Sequence, residues 1–139
     1  MADLTVLIRL HQHELDEKRR ALAELYTALA DLERQQRDLE RTFDLEKAAV
    51  AKANDVHFTF AQYAETVIKR REVLNTAETE LEEHIQKAKM SLLETFSELK
   101  KFEMTQEERE RIEAEERQFR ESQEMDAIGI EGFRRKDDA

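Results

Sequence analysis

Apolar residues recur along the first fifty positions at alternating spacings of four and three. Counting from Leu4, eleven of the fifteen positions reached in this way are apolar, and most residues between them are polar or charged. A period of 3.5 residues is the signature of a left-handed coiled-coil seam. The pattern therefore predicts a helix over residues 4–53, with Asp3 placed to cap its first turn. The fifteen positions are Leu4, Ile8, His11, Leu15, Lys18, Leu22, Leu25, Leu29, Leu32, Gln36, Leu39, Phe43, Glu46, Val50 and Ala53.

The repeat loses its phase at Asn54 and Asp55, two residue types that favour turns and helix caps. A second series with the same spacing begins at Phe60, and ten of its fifteen positions are apolar. The break therefore predicts a turn between two helices that each carry a seam. The second series is Phe60, Ala64, Val67, Arg71, Leu74, Glu78, Leu81, Ile85, Ala88, Leu92, Thr95, Leu99, Phe102, Gln106 and Arg109.

These two seams predict an all-α fold, a long two-helix antiparallel coiled-coil hairpin with an overhanging second helix. We expect helix one over about residues 4–53, a turn over about 54–58 and helix two over about 59–126. Both glycines lie beyond that point, so residues 127–139 are expected to form a flexible tail. One continuous helix that forms parallel dimers is the alternative, which the phase break disfavours.

Pairing the two series outward from the turn predicts a register. It sets Gln36 opposite Glu78 and Lys18 opposite Thr95, so polar seam residues meet polar ones in two layers. A slip by one layer would place these groups against leucines, so we predict that the four residues set the register. The same register sets Leu4 opposite Arg109. Helix two beyond that residue is therefore expected to have no partner on helix one.

Composition narrows the class of protein. Charged residues make up 40% of the 139 positions, and the chain has no proline, cysteine or tryptophan. Such a chain has too little apolar surface for an ordinary globular enzyme core, and it has no disulfide or thiolate zinc site. The formal net charge of −10 argues against a nucleic-acid partner. The apolar stretch near the amino terminus is too short for a signal peptide or a membrane span, so we expect a cytoplasmic protein without direct membrane insertion.

Candidate chemical sites are scarce in the sequence. His11 and His13 are two residues apart and point to different faces of a helix, which does not match the spacing of a helical metal site. The chain has neither a glycine-rich phosphate loop nor a nucleophile elbow. We therefore expect no catalytic residues, no cofactor and no metal, and we predict that the chain is not an enzyme.

Two groups of apolar residues are candidates for binding other proteins. The first lies at the start of helix two, where Phe60 and Tyr63 are followed by Val67. The second lies in the charged overhang and includes Ile112, Phe119 and Met125. Packing across the tip of the hairpin is the simpler explanation for the first group. The second group has no helix beside it in the predicted register.

The layout of the chain resembles the flagellar export protein FliJ family, which includes stalk relatives in type III secretion. The resemblance rests on the aromatic-led start of helix two (FAQYAETVIKRREVL), the run FSELKKFE, the Glu/Arg-rich extension and a tail in which MDAIGI precedes FRRK. It implies an antiparallel coiled coil that serves as a cytoplasmic stalk at the membrane-associated export apparatus. There the stalk promotes assembly and activity of the hexameric export ATPase.

The resemblance also implies partners and sites. The end that carries both termini would enter the ATPase ring, which on this chain points to Ile112, Phe119 and Met125. The cytoplasmic domain of the export gate would contact Phe60, Tyr63 and Val67, and export chaperones would be escorted. On helix one, Gln36 and Glu40 stand where the family's pattern has aromatic residues. The alternative function is a structural or scaffolding coiled coil with a chaperone-like role.

Overall fold

The computed structural model of the protein describes residues 3–53 and 57–137. Within these ranges it contains two α-helices, α1 (Thr5–Ala51) and α2 (His57–Asp137), and no strand. The predicted all-α two-helix hairpin is therefore confirmed. The helix boundaries at the turn differ by about two residues from those predicted, and Asn54 and Asp55 lie outside the described residues.

The first turn of α1 is capped by Asp3. Its carboxylate accepts hydrogen bonds from the backbone N–H of Thr5 at 3.1 Å and from the Thr5 hydroxyl at 2.6 Å. The first N–H groups of a helix have no partner within the helix, so these bonds stabilise its start. They also hold the pKa of Asp3 below its ordinary value, the side-chain bond from Thr5 being the larger cause.

The chain divides into two compact units, and the helices run antiparallel in each. One unit combines the residues up to Gln12 with the chain from Phe96 onward, and the other is His13–Thr95. In the first unit, Leu4 contacts Gln106 while His11 contacts Phe102. Contacts in the second run from Lys18 with Thr95 through Gln36 with Glu78 to Phe43 with Phe60.

The heptad positions form the core of both helices. On α2 all fifteen positions of the predicted seam are buried or half-buried, and in the first series only Glu46 and Ala53, which lies just beyond α1, are exposed. Both exceptions lie near the turn. Because few other side chains of the described residues lose as much surface, the protein is stabilised by a single narrow seam rather than a broad core. Its most buried apolar side chains are Leu4, Leu15, Val67, Leu74, Ile85 and Leu99.

The carboxyl end differs from the prediction. Helix α2 continues through Gly129 and Gly132 to Asp137, where the sequence predicted a flexible tail from residue 127. Neither glycine has a positive φ, so neither ends the helix in the usual way. A glycine costs a helix only about 1 kcal/mol relative to alanine. The neighbouring residues favour helix, and the basic residues 134–136 lie in the last turn, where they interact favourably with the helix dipole.

Candidate partner-binding surfaces

Three rings from the two helices pack together near the turn, and we call them the aromatic cluster: Phe43, Phe60 and Tyr63. The Phe43 and Phe60 rings are nearly parallel, with centroids 5.9 Å apart and an interplanar angle of 11°. Tyr63 is tilted against both, at 6.3 Å from each. All three side chains are half-buried. The cluster thus packs the hairpin internally and still offers part of its ring surface to a partner.

Cations border the aromatic cluster. Lys47 Nζ lies 5.0 Å from the centroid of the Phe43 ring, and the guanidinium of Arg71 lies 5.7 Å from it. Arg71 also donates two hydrogen bonds to the carboxylate of Glu40, at 2.6 and 3.0 Å, and these bonds raise the pKa of Arg71. Of this pair, Glu40 stands at a position where the resemblance to the FliJ pattern predicts an aromatic residue. The predicted register already indicates the contact between Arg71 and Glu40. It sets Arg71 opposite Phe43, and Glu40 lies one helical turn before Phe43.

One residue predicted to contact the export gate is not accessible. Val67 retains only 2% of its surface, because it lies on the seam of α2 and faces the other helix. A partner could not reach this side chain in the conformation described, and its role in binding the gate stays a prediction. Phe60 and Tyr63 remain partly exposed. Phe58, one residue into α2, is 77% exposed and is the most accessible ring near the turn.

The first predicted polar layer is present. The Gln36 side-chain amide donates hydrogen bonds to Glu78 at 2.6 Å and to Asn75 at 3.2 Å. The acceptor on Glu78 and the donor on Gln36 satisfy each other in a half-buried setting, where an unpaired polar group would be costly. The predicted pairing is confirmed, and its role in setting the register stays a prediction.

The second polar layer is also present. The Lys18 ammonium donates to the Thr95 hydroxyl at 2.5 Å and to the backbone carbonyl of Ser91 at 3.4 Å, and it lies 3.5 Å from Glu14. Thr95 is only 3% exposed, the one polar side chain classed as buried among the described residues. The aliphatic part of the lysine side chain therefore lies over the seam, while its ammonium group contacts three oxygen atoms.

The overlapping ends of the helices are joined by polar contacts and a ring contact. The Leu4 backbone N–H donates to the side-chain oxygen of Gln106 at 3.3 Å. The His11 ring packs on Phe102 with centroids 4.9 Å apart, as the register predicted. Its Nε2 lies 3.4 Å from Glu98, and its Nδ1 lies 2.8 Å from the Leu7 carbonyl oxygen. His11 is therefore a seam residue with an oxygen partner at each ring nitrogen.

Every side chain from 110 to 137 is exposed, and we call this part of α2 the overhang. Some of its charged side chains form ion pairs with each other along the helix. Arg111 bonds Glu108 and donates to Glu115 at 2.7 Å, and its guanidinium holds the pKa of Glu108 below the ordinary value. Such pairs stabilise a helix that has no neighbour to pack on.

The structure separates the three residues predicted to meet the ATPase ring. Ile112 and Phe119 are seven residues apart and share one face of the overhang, because seven residues make nearly two full turns. Met125 lies six residues beyond Phe119, so it points toward another side of the helix. All three are exposed. A single flat partner could therefore contact Ile112 and Phe119 together, but not Met125 with them.

The described residues also bear on other classes of site. Within residues 3–53 and 57–137, no group of three histidine, aspartate or glutamate side chains is arranged to hold a metal ion. In the same part of the chain, neither helix has an apolar stretch able to cross a bilayer. The surfaces that remain as candidates are the aromatic cluster and the overhang. Comparisons of the chain with protein-family models, curated proteins and solved structures gave no match.

Proposed function

We propose that this protein is a cytoplasmic stalk of the flagellar type III export apparatus, which promotes assembly and activity of the export ATPase ring and couples the ring to the export gate. The observation that carries the proposal is the overhang. Helix α2 continues as a fully exposed helix from residue 110 to Asp137, with apolar residues on a charged surface. A single helix of this kind is narrow enough to enter the opening of a protein ring.

The described contacts support a mechanical role. The unit His13–Thr95 holds its two helices together through a seam with polar pairs at defined positions, Gln36 with Glu78 and Lys18 with Thr95. Specific pairs of this kind resist sliding of one helix along the other. A stalk needs this property, because a force applied to one helix would otherwise slide it along the other and would not be transmitted.

The experiment is an ATP hydrolysis assay with the hexameric flagellar export ATPase of the same organism. We expect the full chain to raise the turnover of the ATPase. Ile112→Glu combined with Phe119→Glu should remove the stimulation, because both carboxylates would lie on the shared face of the overhang. Met90→Glu is the matched control, because Met90 lies in the other unit and is about as exposed as Phe119.

Two outcomes would contradict the proposal. Wild-type protein that leaves ATPase turnover unchanged at saturating concentration would favour the structural or scaffolding role. Equal loss of stimulation by Met90→Glu and by the double variant would show that the effect does not depend on the overhang. Far-ultraviolet circular dichroism of each variant checks that helix content is unchanged.

A further inference from the structure

The overhang carries a heptad stripe of large apolar residues that is rotated from the continuation of the hairpin seam. The hairpin seam reaches Gln106 and Arg109, and its next positions would be Glu113 and Glu116, both charged. Large apolar residues instead begin at Ile112, one position earlier. Because every second member of the new stripe also lies on the continued hairpin seam, the stripe is rotated by only about 50° around the helix. We call the new stripe the second seam; it consists of Ile112, Glu116, Phe119, Gln123, Asp126, Ile130 and Phe133.

The second seam has the properties of an unoccupied coiled-coil face. Its members follow the four-and-three spacing, and its four large apolar residues are all exposed. A stripe at heptad spacing is complementary to another helix with the same spacing. The occupant must therefore be a helix, and its charge pattern has to match that of the overhang.

Charge along the overhang distinguishes the two directions in which a second copy could bind. Residues 113–116 read EAEE, while residues 134–136 read RRK. In a parallel pair each cluster would face its own copy, and the two Asp126 carboxylates would also meet. In an antiparallel pair the basic end of each copy lies beside the acidic segment of the other, which replaces repulsion by attraction.

We propose that two copies of this protein associate through their second seams as an antiparallel pair with two-fold symmetry. In the favoured register Phe119 faces Ile130 of the second copy, and Gln123 faces Asp126 of the second copy. The symmetry repeats each contact, so the interface holds two apolar layers and two polar ones, flanked by two layers in which Glu116 lies beside Phe133 of the second copy. Lys136 and Arg134 then lie beside Glu113 and Glu115 of the second copy. The proposal does not depend on the export function.

This register follows the same rule as the hairpin. There, polar seam residues meet polar ones, as Gln36 meets Glu78. In the second seam, Gln123 can donate to Asp126 in the same way, and Phe119 and Ile130 cover each other on both sides of these polar layers. The outermost layers depart from the rule, because Glu116 faces Phe133 there. The paired segment covers about residues 116–133, little more than two heptads. Since short coiled coils are marginal, we expect association that depends on protein concentration.

The test is sedimentation equilibrium of the full chain over a wide concentration range. The mass should rise from 16.5 kDa toward about twice that value. Phe119→Glu should lower the association constant by at least about tenfold, since symmetry removes two buried rings at once. Ile128→Glu is the matched control: Ile128 is 65% exposed against 63% for Phe119, and it lies nine residues away on the opposite face.

A charge exchange tests the direction of the pair. Variant one carries Arg134→Glu, Arg135→Glu and Lys136→Glu, and variant two carries Glu113→Lys, Glu115→Lys and Glu116→Lys. In an antiparallel pair each variant by itself should associate more weakly than the wild type, because like charges then face each other. In a parallel pair like charges already face each other in the wild type, so neither variant would lose affinity, and that result would overturn the proposed direction. An equimolar mixture should regain association, because both charged contacts become attractive in a mixed antiparallel pair.

Several results would overturn the proposal. These are a wild-type chain that stays at 16.5 kDa up to millimolar concentration, an equal effect of Ile128→Glu and Phe119→Glu, and a mixture of the charge variants that associates no better than either variant. The substituted positions are exposed, so the hairpin should stay folded. Circular dichroism at each concentration verifies this.

Discussion

The side-chain nitrogen of Gln36 lies 2.6 Å from a carboxylate oxygen of Glu78, which joins the two helices through a polar pair inside an otherwise largely apolar seam. The pair is half-buried, and each group supplies what the other lacks. Such a contact adds modestly to stability, while a mismatched register would leave both groups without partners. The pair should therefore matter more for the choice of register than for the free energy of unfolding.

Replacing both residues tests this distinction. Gln36→Leu by itself should destabilise the protein by about 1 kcal/mol, because Glu78 keeps its charge and loses its donor. Gln36→Leu with Glu78→Leu should restore or raise the urea midpoint. Spin labels at exposed positions 33 and 82, measured by pulsed electron paramagnetic resonance, should then give a broader or double distance distribution. A single narrow distribution in the double variant would show that the leucine layers fix the register without the polar pair.

The layer at Thr95 offers a second test. Thr95→Val keeps the shape of the side chain but removes the hydroxyl that accepts from Lys18. We expect a loss of about 1 kcal/mol in the free energy of unfolding, measured with urea. Thr79→Val is the control, since that hydroxyl is exposed and bonds only the Asn75 carbonyl of its own helix. Equal losses in the two variants would mean that the Lys18 contact contributes nothing.

The ion pair between Arg71 and Glu40 should be weak despite its two short hydrogen bonds. Both side chains keep close to half of their surface, so water and salt screen their attraction. A double-mutant cycle with Arg71→Met and Glu40→Gln should give only a small coupling free energy, which falls further in 1 M salt. A coupling that does not change with salt would instead assign the effect to packing of Arg71 on Phe43.

The cap at Asp3 predicts a pH dependence that is confined to the start of α1. The pKa of Asp3 is lowered from 3.8 by the bonds from Thr5, so the charged form stabilises the folded end. This stabilisation is complete above pH 3.8 and is lost as the pH falls through the lower pKa of the folded state. The protection factor of the Thr5 amide, which is its exchange rate compared with the intrinsic rate at the same pH, should therefore fall in acid. Asp3→Asn, which caps without titrating, should remove that dependence, and an unchanged acid response in this variant would point to another group.

The seam could be derived from the sequence because heptad spacing and a turn leave only a few possible registers. That arithmetic placed Gln36 beside Glu78 and His11 beside Phe102 before any contact was known. The end of α2 could not be derived in the same way. Two glycines cost a helix about 2 kcal/mol together, an amount that the flanking helix formers and the basic last turn can offset. The amino-acid composition does not show whether the cost of the glycines or the gain from their neighbours is larger.

For the candidate sites, too, some features follow from heptad position and others do not. Whether a residue is exposed follows from its seam position, so the burial of Val67 was already implied by its place in the second series. Its assignment to the gate came from the FliJ pattern and ignored that position. The orientation of Met125 likewise follows from counting residues around the overhang. The ring stacking of Phe43 on Phe60 required the structure, since it depends on side-chain rotamers.

Neighbouring residues at the start of α2 separate stability from partner binding. Val67→Ala should lower the free energy of unfolding by about 1–2 kcal/mol, because it opens space in the seam. Ile68→Ala should cost less than about 0.5 kcal/mol, since that side chain is 50% exposed.

Under the proposed function, Phe60→Ala with Tyr63→Ala should weaken binding to the cytoplasmic domain of the export gate, measured by titration calorimetry, and Val67→Ala should leave the affinity of the folded protein unchanged. Weaker binding by Val67→Ala at full helicity would mean that the hairpin opens at its tip when the gate binds.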